Sequence, residues 1–253
     1  AYLAFTRMLD TALRKDGDGT DTLTKLLAQY GLTWSGTTVE SLQFQEPVNN
    51  TGKIILPAGA PSGEAIRAFL AGPFLNAVNA SIADLDEAIA LCGAGKGTEI
   101  IDKGLISPDH PMHVEVDIGE YRLFRAGLKG LKAFVLILSA YNIDVNVQQL
   151  AGLLNSDSLN FKALLDRYPQ LFNLLTTGGT PAYNGAAKLA EAKAAFVGAI
   201  DDYTLASEKI RTDKAVTPGA EKLVAIEDRD LLAEAWWRQE AGKIKTALQG
   251  NTV

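Results

Sequence analysis

Both histidines of the 253-residue chain fall in one short run, Asp109-His110-Pro111-Met112-His113-Val114-Glu115-Val116-Asp117. Two imidazoles among carboxylates are ligands that hold zinc or another divalent transition metal with one position left for water. If residues 113 to 117 are extended, His113, Glu115 and Asp117 point to one side of the strand. His110, His113, Glu115 and Asp117 are therefore a candidate metal centre. A divalent-metal-binding protein or metal-dependent enzyme built on them is one alternative. No H-E-x-x-H spacing accompanies them. The commoner reading of such alternation is the wet face of an edge strand, with Asp117 capping the helix that follows.

A second acidic run, Asp16-Gly17-Asp18-Gly19-Thr20-Asp21, opens like an EF-hand loop, with Asp16, Asp18 and Thr20 as first, third and fifth ligands. It then departs: Asp21 stands where the turn glycine belongs, and Leu27 where a closing glutamate belongs. No cofactor is expected, with calcium at Asp16, Asp18, Thr20 and Asp21 as the exception to test. The rival is a plain turn between helices, capped by Thr20 or Asp21. Further on, Arg122, Arg125, Lys129 and Lys132 recur every three or four residues, one basic helix face in an acidic chain. It is suited to a carboxylate-rich partner, to an acidic helix of the same chain, or to solvent. In Trp236-Trp237, consecutive side chains differ by about 100° around a helix, so Trp237 is expected in the apolar row and Trp236 either at the bundle's flank or partly exposed at an interface.

Composition narrows the classes. The chain is 47% hydrophobic and 21% charged, in the globular band, with one cysteine and a formal net charge of -6. One Cys excludes an internal disulfide and cysteine-based metal sites. A sequence pI near 5.0 argues against generic nucleic-acid binding. The most apolar run, residues 133 to 141, is about half the roughly 20 residues of a membrane span. No targeting segment precedes the first helix, and near-absence of Cys fits export as well as it fits the cytosol.

The elements that must position these residues are mostly helical. Apolar residues at spacings of three and four mark helices over about 1–15, 63–91, 119–141, 182–211 and 227–249, with shorter ones near 147–155, 158–168 and 170–176. Pro73 should kink or split the second of these. Leu189, Phe196, Tyr203 and Ile210 recur every seven residues, shadowed by Ala192, Ala199 and Ala206. Residues 32 to 62 break the pattern and read as a β or irregular insertion, with a short hairpin at about 37–56. The expectation is one mainly α domain over 1–253, an antiparallel multi-helix bundle of irregular helical hairpins with a small β-hairpin element.

Two stretches, Val114-Glu115-Val116-Asp117-Ile118-Gly119-Glu120-Tyr121 and Ala192-Lys193-Ala194-Ala195-Phe196-Val197-Gly198-Ala199-Ile200-Asp201-Asp202-Tyr203, resemble loosely tetratricopeptide-like helical regions of large exported bacterial surface proteins. The chain departs from true tetratricopeptide repeats in lacking a 34-residue period. The resemblance implies a non-enzymatic scaffold or protein-interaction module of an exported surface assembly, extracellular or periplasmic. Its partner would be another protein or the chain itself. Self-assembly into a filament or layer through the Trp236 region is the third reading.

Overall fold

The structure, a computed structural model, describes residues 2–13, 22–34, 44–45, 47–93, 98–106, 111–156, 161–176, 184–212, 218 and 220–250. It is mainly α with a small β element. Among the described residues, no helix is long and apolar enough to cross a membrane. Contacts divide the chain into two compact units, one of residues 1–5, 79–133 and 192–253, the other of 6–78 and 134–191.

In the first unit, strands β3 (Glu99–Ile101), β4 (His113–Val116) and β5 (Ala220–Lys222) form a three-stranded sheet with β4 in the middle. β3 runs antiparallel to β4, pairing Ile100 with Glu115; β5 runs parallel to it, pairing Glu115 with Lys222. Val114, Val116, Leu85, Tyr121 and Ala4 form its core cluster, and the Ser81 hydroxyl donates to the Ala4 carbonyl at 2.9 Å. Ala126 and Ala133 in helix α6 (Ile118–Ala140) are buried, as are Ala192, Ala199 and Ala206 in helix α9 (Gly185–Thr212). The alanines of α9 sit where the heptad predicts. On α6 Tyr121, Val135 and Leu136 are buried alongside the alanines, while Phe124 and Phe134 of the expected aromatic rows face solvent.

The second unit holds helix α2 (Leu23–Gln29), the short antiparallel pair β1 (Thr33–Trp34) and β2 (Phe44–Gln45), and helix α3 (Gly63–Phe69). Leu26, Tyr30 and Phe69 form its core. Pro73 sits in a π-helical turn, Leu70–Phe74, between α3 and helix α4 (Leu75–Leu91). A proline has no N–H to donate and its ring displaces the carbonyl four residues back, so the wider turn absorbs it and the expected split appears. Where one hairpin was expected, β1–β2 and an isolated bridge from Val48 to Ile54 share the strand contacts, and residues 35–43 lie outside the described set. The Asn49 carboxamide holds the 48–54 turn by accepting from the Thr51 and Lys53 N–H groups, both at 2.9 Å. Asn155, just past helix α7 (Val147–Leu154), clamps Ile54: its oxygen accepts from the Ile54 N–H and its NH₂ donates to the Ile54 carbonyl, both at 2.7 Å.

Helix α8 (Phe161–Arg167) forms as expected, but residues 170–176 do not. Pro169 begins that segment, and Phe172 turns through the left-handed region at φ 63°. The segment instead pairs with the backbone of 140–142: Asn142 donates to Asn173 at 2.9 Å, Phe172 to Asn142 at 2.8 Å, and Leu175 to Ala140 at 2.9 Å. α9 starts later than predicted, with the Asn184 side chain accepting from the Ala187 N–H at 3.0 Å. Helix α10 (Leu231–Leu248) follows a single 3-10 turn at Asp228–Asp230.

Candidate functional site

The chemistry expected at His113, Glu115 and Asp117 resolves into something else. β4 is a central strand, so the wet edge-strand reading fails. Glu115 is fully buried, its carboxylate 3.0 Å from the Lys222 ammonium that β5 delivers by its parallel register. Asp117 has left the strand and caps α6. One oxygen accepts from the Gly119 N–H at 2.7 Å, and the other lies 2.7 Å from Lys222. Glu120 completes a capping box by accepting from the Asp117 N–H at 3.0 Å. His113 stays half-exposed, its Nδ1 accepting from the Lys103 N–H at 3.3 Å and standing 3.6 Å from an Asp102 oxygen. His110 lies outside the described residues, as do Asp16, Asp18, Thr20 and Asp21. Among the described residues, no group of His, Cys, Asp and Glu is gathered as a metal would need.

Burial sets the protonation of this cluster. It disfavours the Lys222 ammonium, but hydrogen bonds to Asp117 and Glu115 and the nearby Glu120 outweigh it and hold the group above the ordinary lysine range. Burial pushes the Glu120 carboxyl up, and the adjoining Asp117 carboxyl reinforces this against the opposing Asp117 N–H. Tyr121 donates to Glu99 at 2.7 Å, and burial with that contact moves its phenol far up. Burial likewise raises Cys92, with Asp117 and Glu99 adding to it. One ammonium answers two carboxylates, and the arrangement fixes strand to strand and sheet to helix.

The basic face of α6 is also turned inward. Arg125 grips Asp202 of α9 with two nitrogens, 2.8 and 2.5 Å from its oxygens, and reaches Asp86 of α4 at 2.5 Å. Lys129 meets Asp202 at 2.7 Å. The acidic helix of the same chain is thus the partner of Arg125 and Lys129, while Arg122 and Lys132 are half-buried. Across the same unit, Glu234 of α10 receives Arg211 at 2.8 Å and Arg238 at 3.0 Å, and accepts a short hydrogen bond from Ser207.

The larger of two open cavities among the described residues is apolar. α6, α9 and α10 bound a groove of about 530 Å³ whose floor includes Gly127, Gly130 and Ala199 and whose walls include Phe196, Tyr203 and Trp237. A Cβ added at Gly127 or Gly130 would meet no atom within 4 Å. Trp237 is 58% exposed instead of packed away in the apolar row. Trp236 meets it edge-on, ring centroids 5.0 Å apart, and is itself 54% exposed. The exposure of Trp237 was not legible in the sequence, nor were the two glycines as a floor, because only the placement of α9 and α10 makes one. Comparison of the chain with models of known protein families, with curated proteins and with solved structures finds no match.

Proposed function

We propose that the protein is a non-enzymatic helical interaction module, and that the groove between α6, α9 and α10 receives an amphipathic helix. The groove carries this reading. Glycine inside a helix costs about 1 kcal/mol relative to alanine, and nothing within the unit occupies the space that Gly127 and Gly130 leave. A glycine floor between aromatic walls lets an incoming backbone come close while its side chains meet rings, the geometry of helix-in-groove recognition. Glu115 and Asp117, two of the candidate metal ligands, are both engaged with Lys222. An exported bacterial surface assembly is the setting that the sequence resemblance implies, and protease shaving of intact cells tests it.

The groove is tested with the apolar dye anilinonaphthalene sulfonate. The native chain is expected to bind it, with quenching of tryptophan emission. Gly127→Leu/Gly130→Leu should keep its helical circular dichroism and bind at least tenfold more weakly; equal binding by both would sink the reading. Elemental analysis of protein purified without chelators checks the rival: one equivalent of zinc, iron or manganese, lost on His113→Ala, would establish a metal protein instead.

A further inference from the structure

α10 carries, beside the groove, a helix face of the kind the groove would receive. Leu232 is 84% exposed, and with Trp236, Gln239 and Lys243 it forms one solvent-facing stripe at spacings of three and four. Wall and prospective occupant therefore belong to the same patch, as an interface between identical copies related by a twofold axis requires.

The charges along this element are arranged with matching symmetry. The segment that leads into α10 is acidic, with Glu227, Asp228 and Asp230 against Arg229; the last turns carry Lys243 and Lys245. Asp230 stands six residues before Trp236 and Lys243 six residues after Trp237. An antiparallel copy of the helix centred on the tryptophan pair thus brings each acidic end against a basic end, with the helix dipoles opposed. The side chains at both ends are exposed, between half and four fifths for Glu227, Arg229, Asp230 and Lys243, and their present ion pairs are local: Arg229 with Glu227 at 2.9 Å, Lys243 with Glu240 at 2.7 Å. Exposed pairs of this kind are worth little, so a second copy exchanges them at small cost.

We infer that the occupant of the groove is a second copy of this chain, its α10 lying antiparallel to α10 of the first about a twofold axis at Trp236–Trp237. Leu232 and Trp236 of each copy enter the other's groove over Gly127 and Gly130. Glu227 and Asp230 face the partner's Lys243, while Lys245 stays with Asp201 of its own α9. This deepens the interaction-module reading and rests on it, since it names which helix the groove receives.

Light scattering on a sizing column, across a wide concentration range, is expected to show the mass rising from 27.0 kDa to twice that and stopping there. Trp236→Ala should weaken the dimer at least tenfold with the fold intact. Glu227→Lys/Asp230→Lys and Lys243→Glu should each be monomeric alone, because like charges then meet at both ends, and should form a one-to-one heterodimer when mixed. A strict monomer that still binds the dye overturns the self-pairing and leaves the groove to another helix. Failure of the dilute, monomeric chain to bind the dye removes the groove reading itself. A dimer indifferent to Trp236→Ala and to charge reversal, or growth into open-ended polymers, also overturns the pairing.

Discussion

Glu115, Asp117, Glu120 and Lys222 show how little of a residue's role its type declares. Asp117 as the cap of α6 was legible, since Asp-x-x-Glu ahead of an apolar helix is a capping signature. Glu115 was not, because its partner Lys222 lies more than a hundred residues away in a three-residue strand whose alternation is too short to read. Removing that partner strands buried carboxylates. Lys222→Met is expected to cost about 3–5 kcal/mol, measured by urea unfolding. Glu120 makes stability depend on pH with a definite sign. Its carboxyl is raised in the folded chain, so its favourable share is whole in acid below the ordinary carboxylate range. That share is lost as pH climbs towards the raised value, because the unfolded chain ionises first. Glu120→Gln preserves the acceptor for the Asp117 N–H and cannot ionise. Its melting temperature should exceed that of the native chain at pH 8, the gap closing as pH falls through the carboxylate range. An identical pH profile for the two proteins would show that Glu120 does not titrate in this window.

At the scale of elements, heptad arithmetic located the long helices and the alanine row of α9, because burial repeats with the helical period. It misjudged α6, where Phe124 and Phe134 are exposed while Tyr121, Ala126, Ala133, Val135 and Leu136 are buried, and it extended helix into 170–176, where the backbone found partners at 140–142 that no local rule reveals. Two glycine tests separate packing from propensity. Gly127→Ala and Gly130→Ala should each raise stability by about 1 kcal/mol, since a Cβ there enters open space; thermal melts with no gain would mean that the floor is already filled. Gly63 is the opposite case. It begins α3 with its N–H donated to the Val145 carbonyl at 3.0 Å, and a Cβ would stand 1.8 Å from the Ile143 carbonyl oxygen. Gly63→Ala should therefore displace the start of α3 and cost more than 3 kcal/mol, as large as severe core substitutions.

For the whole molecule, the net charge of -6 was legible and its internal organisation was not. The basic stripe of α6 answers acids on α4 and α9, contacts that depend on helix placement and leave no mark in local sequence. Two contact-defined units predict a divided response in native-state hydrogen exchange. Lys222→Met should speed exchange first in residues 79–133 and 192–253, and Gly63→Ala first in 6–78 and 134–191. Uniform acceleration by either variant would mean that the chain opens only as one. The Asn155 clamp on Ile54 adds a slow chemical dimension. Asn155 precedes Ser156, a small neighbour of the kind that favours spontaneous loss of the side-chain amide. Conversion to aspartate swaps the NH₂ donor for a carboxylate oxygen that meets the Ile54 carbonyl head-on, acceptor against acceptor. The 48–54 turn then loses half of its tether, so stored protein should gain one mass unit at Asn155 as cleavage by added protease begins in that turn, an age mark written at a single side chain.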